Sequence, residues 1–146
     1  NSIIATNLAR ENIELIKNQR DVNYSQTKMW NDWIIPEWYE FDWSKFIVSQ
    51  NESWNIEINK KTTDEKPQLY LNYYDKDWRL ETIPNTNSIQ KYDYNPSWKK
   101  SFYYSYVIIS KIDDKDTKEA IRLESVVWWN KHEIKLNTVL TDWAQR

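Results

Sequence analysis

The first twenty residues carry the strongest helical pattern in the chain. Apolar residues recur there at steps of three and four, through Ile4, Leu8 and Leu15, and no proline interrupts them. Such spacing places one apolar stripe along a helix. Asparagine and aspartate within residues 18–24 predict where the helix ends. We therefore expect a helix of about 20 residues, roughly 30 Å long. Its first residues are apolar, and no N-terminal cap marks its start.

From about residue 28 onward, the chain alternates apolar and polar residues with the two-residue period of β-strands. Alternation is tightest in three segments, at 102–112, 120–129 and 133–140. Consecutive strands with short connections predict an antiparallel meander. Further strands are expected at 39–48, 54–59, 69–73 and 78–83. One helix followed only by strands predicts the α+β class, with the helix lying across an antiparallel sheet in a single domain over residues 1–146.

Composition and charge remove several classes of function. The net charge is -2 and no basic patch is present, so we expect no nucleic-acid partner. The absence of glycine excludes glycine-rich phosphate loops, and the absence of cysteine excludes thiol nucleophiles and cysteine zinc sites. The one histidine, His132, lies in a predicted turn and leaves little room for histidine-based catalysis. The sequence therefore predicts neither an enzyme nor a cofactor.

Both ends of the chain carry motifs of a known family. Residues 9–15 read Ala-Arg-Glu-Asn-Ile-Glu-Leu, and residues 20–24 read Arg-Asp-Val-Asn-Tyr. Near the other end, residues 126–128 read Val-Val-Trp and residues 140–143 read Leu-Thr-Asp-Trp. In this order, the motifs resemble the exported part of type IV pilin-like proteins, the prepilin-type subunits that are N-terminally methylated. The chain differs at position 12, where Asn12 stands in place of the usual glycine, and at Tyr24, in place of tryptophan.

The resemblance implies a minor pilin or pseudopilin, a structural subunit of a type IV pilus or a type II-like secretion filament. Residues 1–25 would be the second half of the spine helix, and residues 28–146 would form the β-rich head. The leader and an apolar first half of the helix would lie upstream. That upstream helix would anchor the subunit in the inner membrane before assembly into an extracytoplasmic filament of the cell envelope. Its partners would be other pilin or pseudopilin subunits.

Five helix residues are the candidate assembly residues: Ile4, Leu8, Arg10, Glu11 and Leu15. In a filament, the apolar ones would pack between helices, and the two charged ones could pair with neighbouring subunits. The alternative for Arg10 and Glu11 is a solvated helix face, where ion pairs contribute little to stability. The sequence leaves both interpretations open.

Two other patterns suggest binding sites. Six aromatic residues could form a sugar-stacking platform on a carbohydrate-binding or adhesive module: Trp30, Trp33, Trp38, Tyr39, Phe41 and Trp43. Packing of alternate rings against the helix is the preferred interpretation. The aspartates Asp113, Asp114 and Asp116 could hold Ca²⁺, but their loop lacks the glycine and the distal glutamate of an EF-hand. A solvated hairpin loop is therefore preferred there, and Asp75 and Asp77 are weaker candidates still.

The missing glycines form a separate puzzle. At a usage of roughly 7%, about ten glycines would be expected, whereas the chain has none and has 10 tryptophans. Four tryptophans stand where turn chemistry favours glycine: Trp33, Trp38, Trp78 and Trp98. One hypothesis is that UGA codons meaning glycine in the source were read as tryptophan; the alternative is drifted composition in a low-GC lineage. Trp128 and Trp143 match tryptophan positions of the family and are expected to be genuine.

Overall fold

The computed structural model describes residues 2–25, 44–50, 56–59, 67–111 and 120–141. A helix, α1 (Ser2–Ser25), precedes seven strands: β1 (Ser44–Gln50), β2 (Ile56–Asn59), β3 (Gln68–Tyr74), β4 (Ile89–Asp93), β5 (Lys99–Lys111), β6 (Ala120–Trp129) and β7 (His132–Thr141). Six of the seven expected strands correspond to β1, β2, β3, β5, β6 and β7. The strand expected at 78–83 is wrong, because Leu80 alone pairs in this segment, through an isolated bridge to Tyr74. β4 was not predicted from the sequence.

The α+β class predicted from the sequence is wrong, because the structure is mainly β. Strands account for 52% of it and helix for 25%. The physical reason is that one helix covers only part of one face of a curled antiparallel sheet. The long strands of that sheet, above all the 13-residue β5, supply most of the ordered chain.

The predicted N-terminal helix is confirmed, but it runs past its expected stop. Asn23 is 1% exposed, and its Oδ1 accepts a hydrogen bond of 2.9 Å from Gln19 Nε2, one turn earlier. An asparagine whose side chain is paired within the helix no longer competes for the backbone, so it does not end the helix. The last turn closes at Ser25, whose Oγ donates to the carbonyl of Val22 at 2.8 Å.

The sheet divides into two branches along β5. β6 pairs antiparallel with one edge of β5, and β7 pairs with β6, which confirms the predicted meander. On the other edge, β3 pairs with the first part of β5 and β1 with its last part, as in Gln68↔Tyr104 and Phe46↔Val107. β4 extends the β3 branch and β2 extends the β1 branch. A gap therefore opens near Ser105, between the two branches.

The turn expected around Asn130 and Lys131 is also confirmed. These two residues connect β6 to β7 with φ of 48° and 70°. Two consecutive left-handed residues characterise the tight hairpin turn whose twist matches that of the flanking strands. Asparagine tolerates this region of backbone space, so the first position suits its residue.

The helix packs on one face of the sheet through two apolar clusters. The first cluster joins the N-terminal half of α1 to β3, β5 and β6 and contains Ala5, Leu8, Ala9, Leu69, Tyr103 and Val127. The second lies under the C-terminal half and contains Ile16, Phe46, Val48, Val107, Ile109, Ile121, Leu123 and Leu140. Burial of a side chain such as Phe46 or Leu123 stabilises the fold by roughly 1.5–3 kcal/mol. No described strand covers the opposite face of α1.

Candidate functional site

A buried polar bridge lies between the two apolar clusters. Asn12 is 6% exposed, and its Nδ2 donates to Ser105 Oγ at 2.8 Å and to Ser125 Oγ at 3.1 Å. The two serines lie on β5 and β6 and are buried as well. A buried amide is costly unless it is hydrogen-bonded, so these contacts favour one position of α1 along the sheet. In the sequence, Asn12 stood out only as a departure from the pilin-like motif. The missed signal was a serine in each of two strands, at alternate positions that are otherwise apolar or aromatic.

The gap between the sheet branches is covered by α1 and leaves a cavity of about 40 Å³. This volume is enough for a few water molecules. Tyr94 closes the gap from the β4 side, since its hydroxyl donates to the carbonyl of Ser105 at 2.9 Å. Burial raises the pKa of the Tyr94 hydroxyl well above its usual value of 10.0, although the bond to Ser105 opposes the shift. Tyr94 is therefore a neutral donor that ties β4 to β5.

Glu11 stands at the rim of this cavity, on the side of α1 that approaches β4. Solvent still reaches much of its side chain. Partial burial raises the pKa of the Glu11 carboxyl above 4.5, and the positive charge of Lys91 opposes this rise. Glu11 is therefore a semi-enclosed carboxylate that interacts with its own sheet, whereas Arg10 projects away from it.

The outer face of α1 consists of the side chains that point away from the sheet: Ile3, Asn7, Arg10, Glu14, Lys17 and Asp21. Ile3 is 71% exposed. Glu14 and Lys17 approach to 3.9 Å. Arg10 has no ion-pair partner among the described residues. This face therefore combines the exposed Ile3 with a cation, Arg10, that no carboxylate of the described residues pairs.

The structure separates the five candidate assembly residues. Leu8 is buried in the first cluster, and Ile4 and Leu15 pack partly buried against the two clusters. These three side chains hold the helix on its own sheet. Arg10 lies on the outer face, and Glu11 lies at the rim of the cavity.

A second candidate region is the aromatic tip, formed by Tyr74, Trp78 and Trp98 at the end of the β3 branch. The ring centroids of Tyr74 and Trp78 are 5.9 Å apart, and those of Tyr74 and Trp98 are 6.5 Å apart. Trp78 is 53% exposed, and the nearby side chains of Leu80 and Ile83 are more exposed still. An open cavity of about 280 Å³ lies alongside, between β3 and residues 80–84.

The turn at this tip is organised by Asp75. Its carboxylate accepts hydrogen bonds from the backbone N–H groups of Asp77 and Arg79, at 2.8 and 2.9 Å. The backbone N–H of Trp78 donates to the Asp75 carbonyl at 3.0 Å, and the backbone of Arg79 accepts from Asp75 N–H at 2.9 Å. Asp75 thus serves the turn, and among the described residues no group of acidic, histidine or cysteine side chains could hold a metal ion.

Several predicted residues lie outside the described part of the chain. These are the proposed sugar platform (Trp30, Trp33, Trp38, Tyr39, Phe41 and Trp43), the acidic loop (Asp113, Asp114 and Asp116) and Trp143. His132 is exposed, as expected, and its ring centroid lies 5.3 Å from that of Trp129.

Comparison with known proteins adds no relative to this picture. No family model, curated protein or solved structure matches the chain. In the part of the chain that the structure describes, no helix is both long enough and apolar enough to cross a bilayer.

Proposed function

We propose that this chain is a non-enzymatic structural subunit, a minor pilin or pseudopilin of a type IV pilus or a type II-like secretion filament. The observation that carries the proposal is the two-sided character of α1. One side is fixed on the sheet by two apolar clusters and by Asn12. The other side presents the exposed side chains of Ile3 and Arg10.

The charges of α1 suit packing beside copies of itself. The helix carries three basic residues, Arg10, Lys17 and Arg20, and three acidic residues, Glu11, Glu14 and Asp21. A helix without net charge can approach another copy without overall repulsion, while complementary charges set the register between them. Arg10 is the strongest candidate for a contact between subunits, because Lys17 already approaches Glu14 within the same helix.

In this proposal, α1 is the exported end of a longer spine helix, whose upstream part is apolar and lies in the inner membrane before assembly. The helix then packs with other subunits in the filament, and the mainly β head is displayed outside the cell envelope. The subunit needs no cofactor and no nucleic-acid partner. Resemblance of residues 9–15 and 20–24 to pilin-like proteins supports the same assignment.

Charge reversal tests the proposal in cells that make the full chain from its own locus. Arg10→Glu should abolish filaments recovered by shearing, because it places an acid where a neighbour binds a cation. Lys76→Glu is the matched control: it changes the charge equally, at an exposed turn of the aromatic tip, and should leave filaments intact. Normal filaments from Arg10→Glu, with a head of unchanged melting temperature, would contradict the proposal.

The aromatic tip supports a second candidate function, a carbohydrate-binding or adhesive module. Exposed indole rings can stack on sugar faces, and two of the three tip residues are tryptophan. Glycan-dependent quenching of tryptophan fluorescence, abolished by Trp98→Ala, would favour this function. An unchanged spectrum across a glycan panel would leave the tip without a ligand.

A further inference from the structure

Trp78 occupies a backbone conformation that a bulky residue avoids. Its φ is 61°, in the left-handed region. There the Cβ atom of an L-residue crowds the following carbonyl oxygen, which costs roughly 1–2 kcal/mol. Glycine, which has no Cβ, adopts this conformation freely.

The surrounding hydrogen bonds define a turn that requires this conformation. Trp78 N–H donates to the Asp75 carbonyl, and Asp75 N–H donates to the Arg79 carbonyl, at 3.0 and 2.9 Å. This pattern is a hairpin connection in which a tight turn is followed by one left-handed residue, the position that glycine usually occupies. The left-handed φ thus belongs to the hydrogen-bond pattern of the turn.

Two other described non-glycine residues have positive φ, and they differ from Trp78. Asn130 belongs to a residue type enriched in the left-handed region, and Lys131, at the turn position where glycine often follows asparagine, carries the Cβ crowding without a ring. Neither is aromatic, and together they form the tight turn between β6 and β7. Trp78 combines the largest side chain with a turn position that favours glycine, in a chain with 10 tryptophans and no glycine.

We infer that residue 78 is glycine in the protein made by its source cell, because its codon is UGA and is read there as glycine. With glycine at this position the backbone strain disappears, and Asp75 keeps its hydrogen bonds to the turn. The aromatic tip loses one of its three rings and keeps the contact between Tyr74 and Trp98. The proposed assembly face of α1 does not involve residue 78 and is unaffected.

The direct test is to read codon 78 in the source genome and to measure the mass of the peptide that contains residue 78 in protein from the same cells. UGA together with a glycine mass supports the inference. A UGG codon, or a tryptophan mass at this position, overturns it. Trp98 and Trp128 are internal references, since Trp98 stands in a turn context and Trp128 in a strand where tryptophan is expected.

A folding experiment tests the physical basis independently, with the 146-residue chain made with tryptophan at position 78 and with variants of it. Trp78→Gly should lower the equilibrium constant for unfolding about fivefold relative to Trp78→Ala, because both variants lose the ring contact with Tyr74 and only glycine also removes the crowded Cβ. Trp78→Ala keeps the Cβ and should change the constant less than about twofold. Trp98→Gly, at a residue without positive φ, should give no gain. A Trp78→Gly chain that is no more stable than the Trp78→Ala chain overturns the inference.

Discussion

The centre of the molecule and its aromatic tip differ in how well the sequence agrees with the structure. At the centre, apolar periodicity, burial and hydrogen bonding agree: Asn12 is paired twice, and the clusters on either side of it are buried. At the tip, apolar side chains such as Ile83 are exposed, and Trp78 holds a strained φ. Agreement between levels marks a sequence selected for its fold. The disagreement at the tip therefore draws attention to the identity of its residues before any function is assigned to them.

Removal of large side chains should separate the two regions most strongly. Phe46 is 0% exposed, so Phe46→Ala should lower the free energy of unfolding by about 3–5 kcal/mol, since it leaves a cavity in the second cluster. Ile83 is 84% exposed, so Ile83→Ala should change it by less than about 0.5 kcal/mol. Urea titrations measure both values. Similar losses in the two variants would show that the tip is packed as the centre is.

Disruption of the polar bridge comes next in size. Asn12→Leu leaves the hydroxyls of Ser105 and Ser125 without their amide partner and should cost about 1–3 kcal/mol of unfolding free energy. The same substitution combined with Ser105→Ala and Ser125→Ala replaces all partners by apolar groups and should recover most of the loss. If Asn12→Leu alone were neutral, the amide would not be what positions the helix.

The bond across the branched sheet should have a smaller effect. Tyr94→Phe removes the hydroxyl that donates to the Ser105 carbonyl, and we expect a loss of about 1 kcal/mol in unfolding free energy. Tyr92→Phe is the matched control. Its hydroxyl makes a longer bond of 3.3 Å to Gln90 in an exposed setting, so it should lose less. If both variants lost the same unfolding free energy, the hydrogen bond from Tyr94 to Ser105 would not specifically stabilise the sheet at the gap.

The smallest expected effect is a pH dependence at Glu11. Its pKa is raised in the folded state by partial burial, so the folded chain holds this proton more tightly than the unfolded chain. The contribution of Glu11 is therefore most favourable below pH 4.5 and is lost as pH rises through the raised pKa. Glu11→Gln should flatten this part of the plot of unfolding free energy against pH, whereas Glu14→Gln, on the outer face, should leave the plot unchanged. If Glu11→Gln did not change the profile, the partly buried Glu11 carboxyl would not be a source of the pH dependence.

What the sequence could predict depended on the range of the interactions. The helix and the β5–β6–β7 meander follow from local periodicity and short connections, so the pattern identified them. The two branches along β5 depend on which distant strand reaches each part of one edge, as in Gln68↔Tyr104 and Phe46↔Val107, and no local signal encodes that choice. β4 was missed because its five residues, Ile-Gln-Lys-Tyr-Asp, are mostly polar and show no clear alternation.

The candidate site was predictable only in outline. The sequence made Arg10 and Glu11 candidates for the same role. Consecutive side chains of a helix point in different directions, so Arg10 projects outward and Glu11 lies toward β4. Asn12 gave no sign of burial, because a single asparagine beside an apolar stripe is usually solvated. The glycine-like context of Trp78 was visible in the sequence, since turn chemistry is local, and its positive φ agrees with that context.

Photocrosslinking from single cysteines tests the assembly proposal most directly, because the chain contains no cysteine of its own. A benzophenone would be attached to Asn7→Cys, on the outer face of α1, or to Ile83→Cys, at the exposed end of the β3 branch, in filaments of the full chain. The account predicts that light joins the Asn7→Cys subunit to neighbouring subunits, and that Ile83→Cys stays largely uncrosslinked. Crosslinks from Ile83→Cys with none from Asn7→Cys would contradict the claim that this helix face holds the filament together.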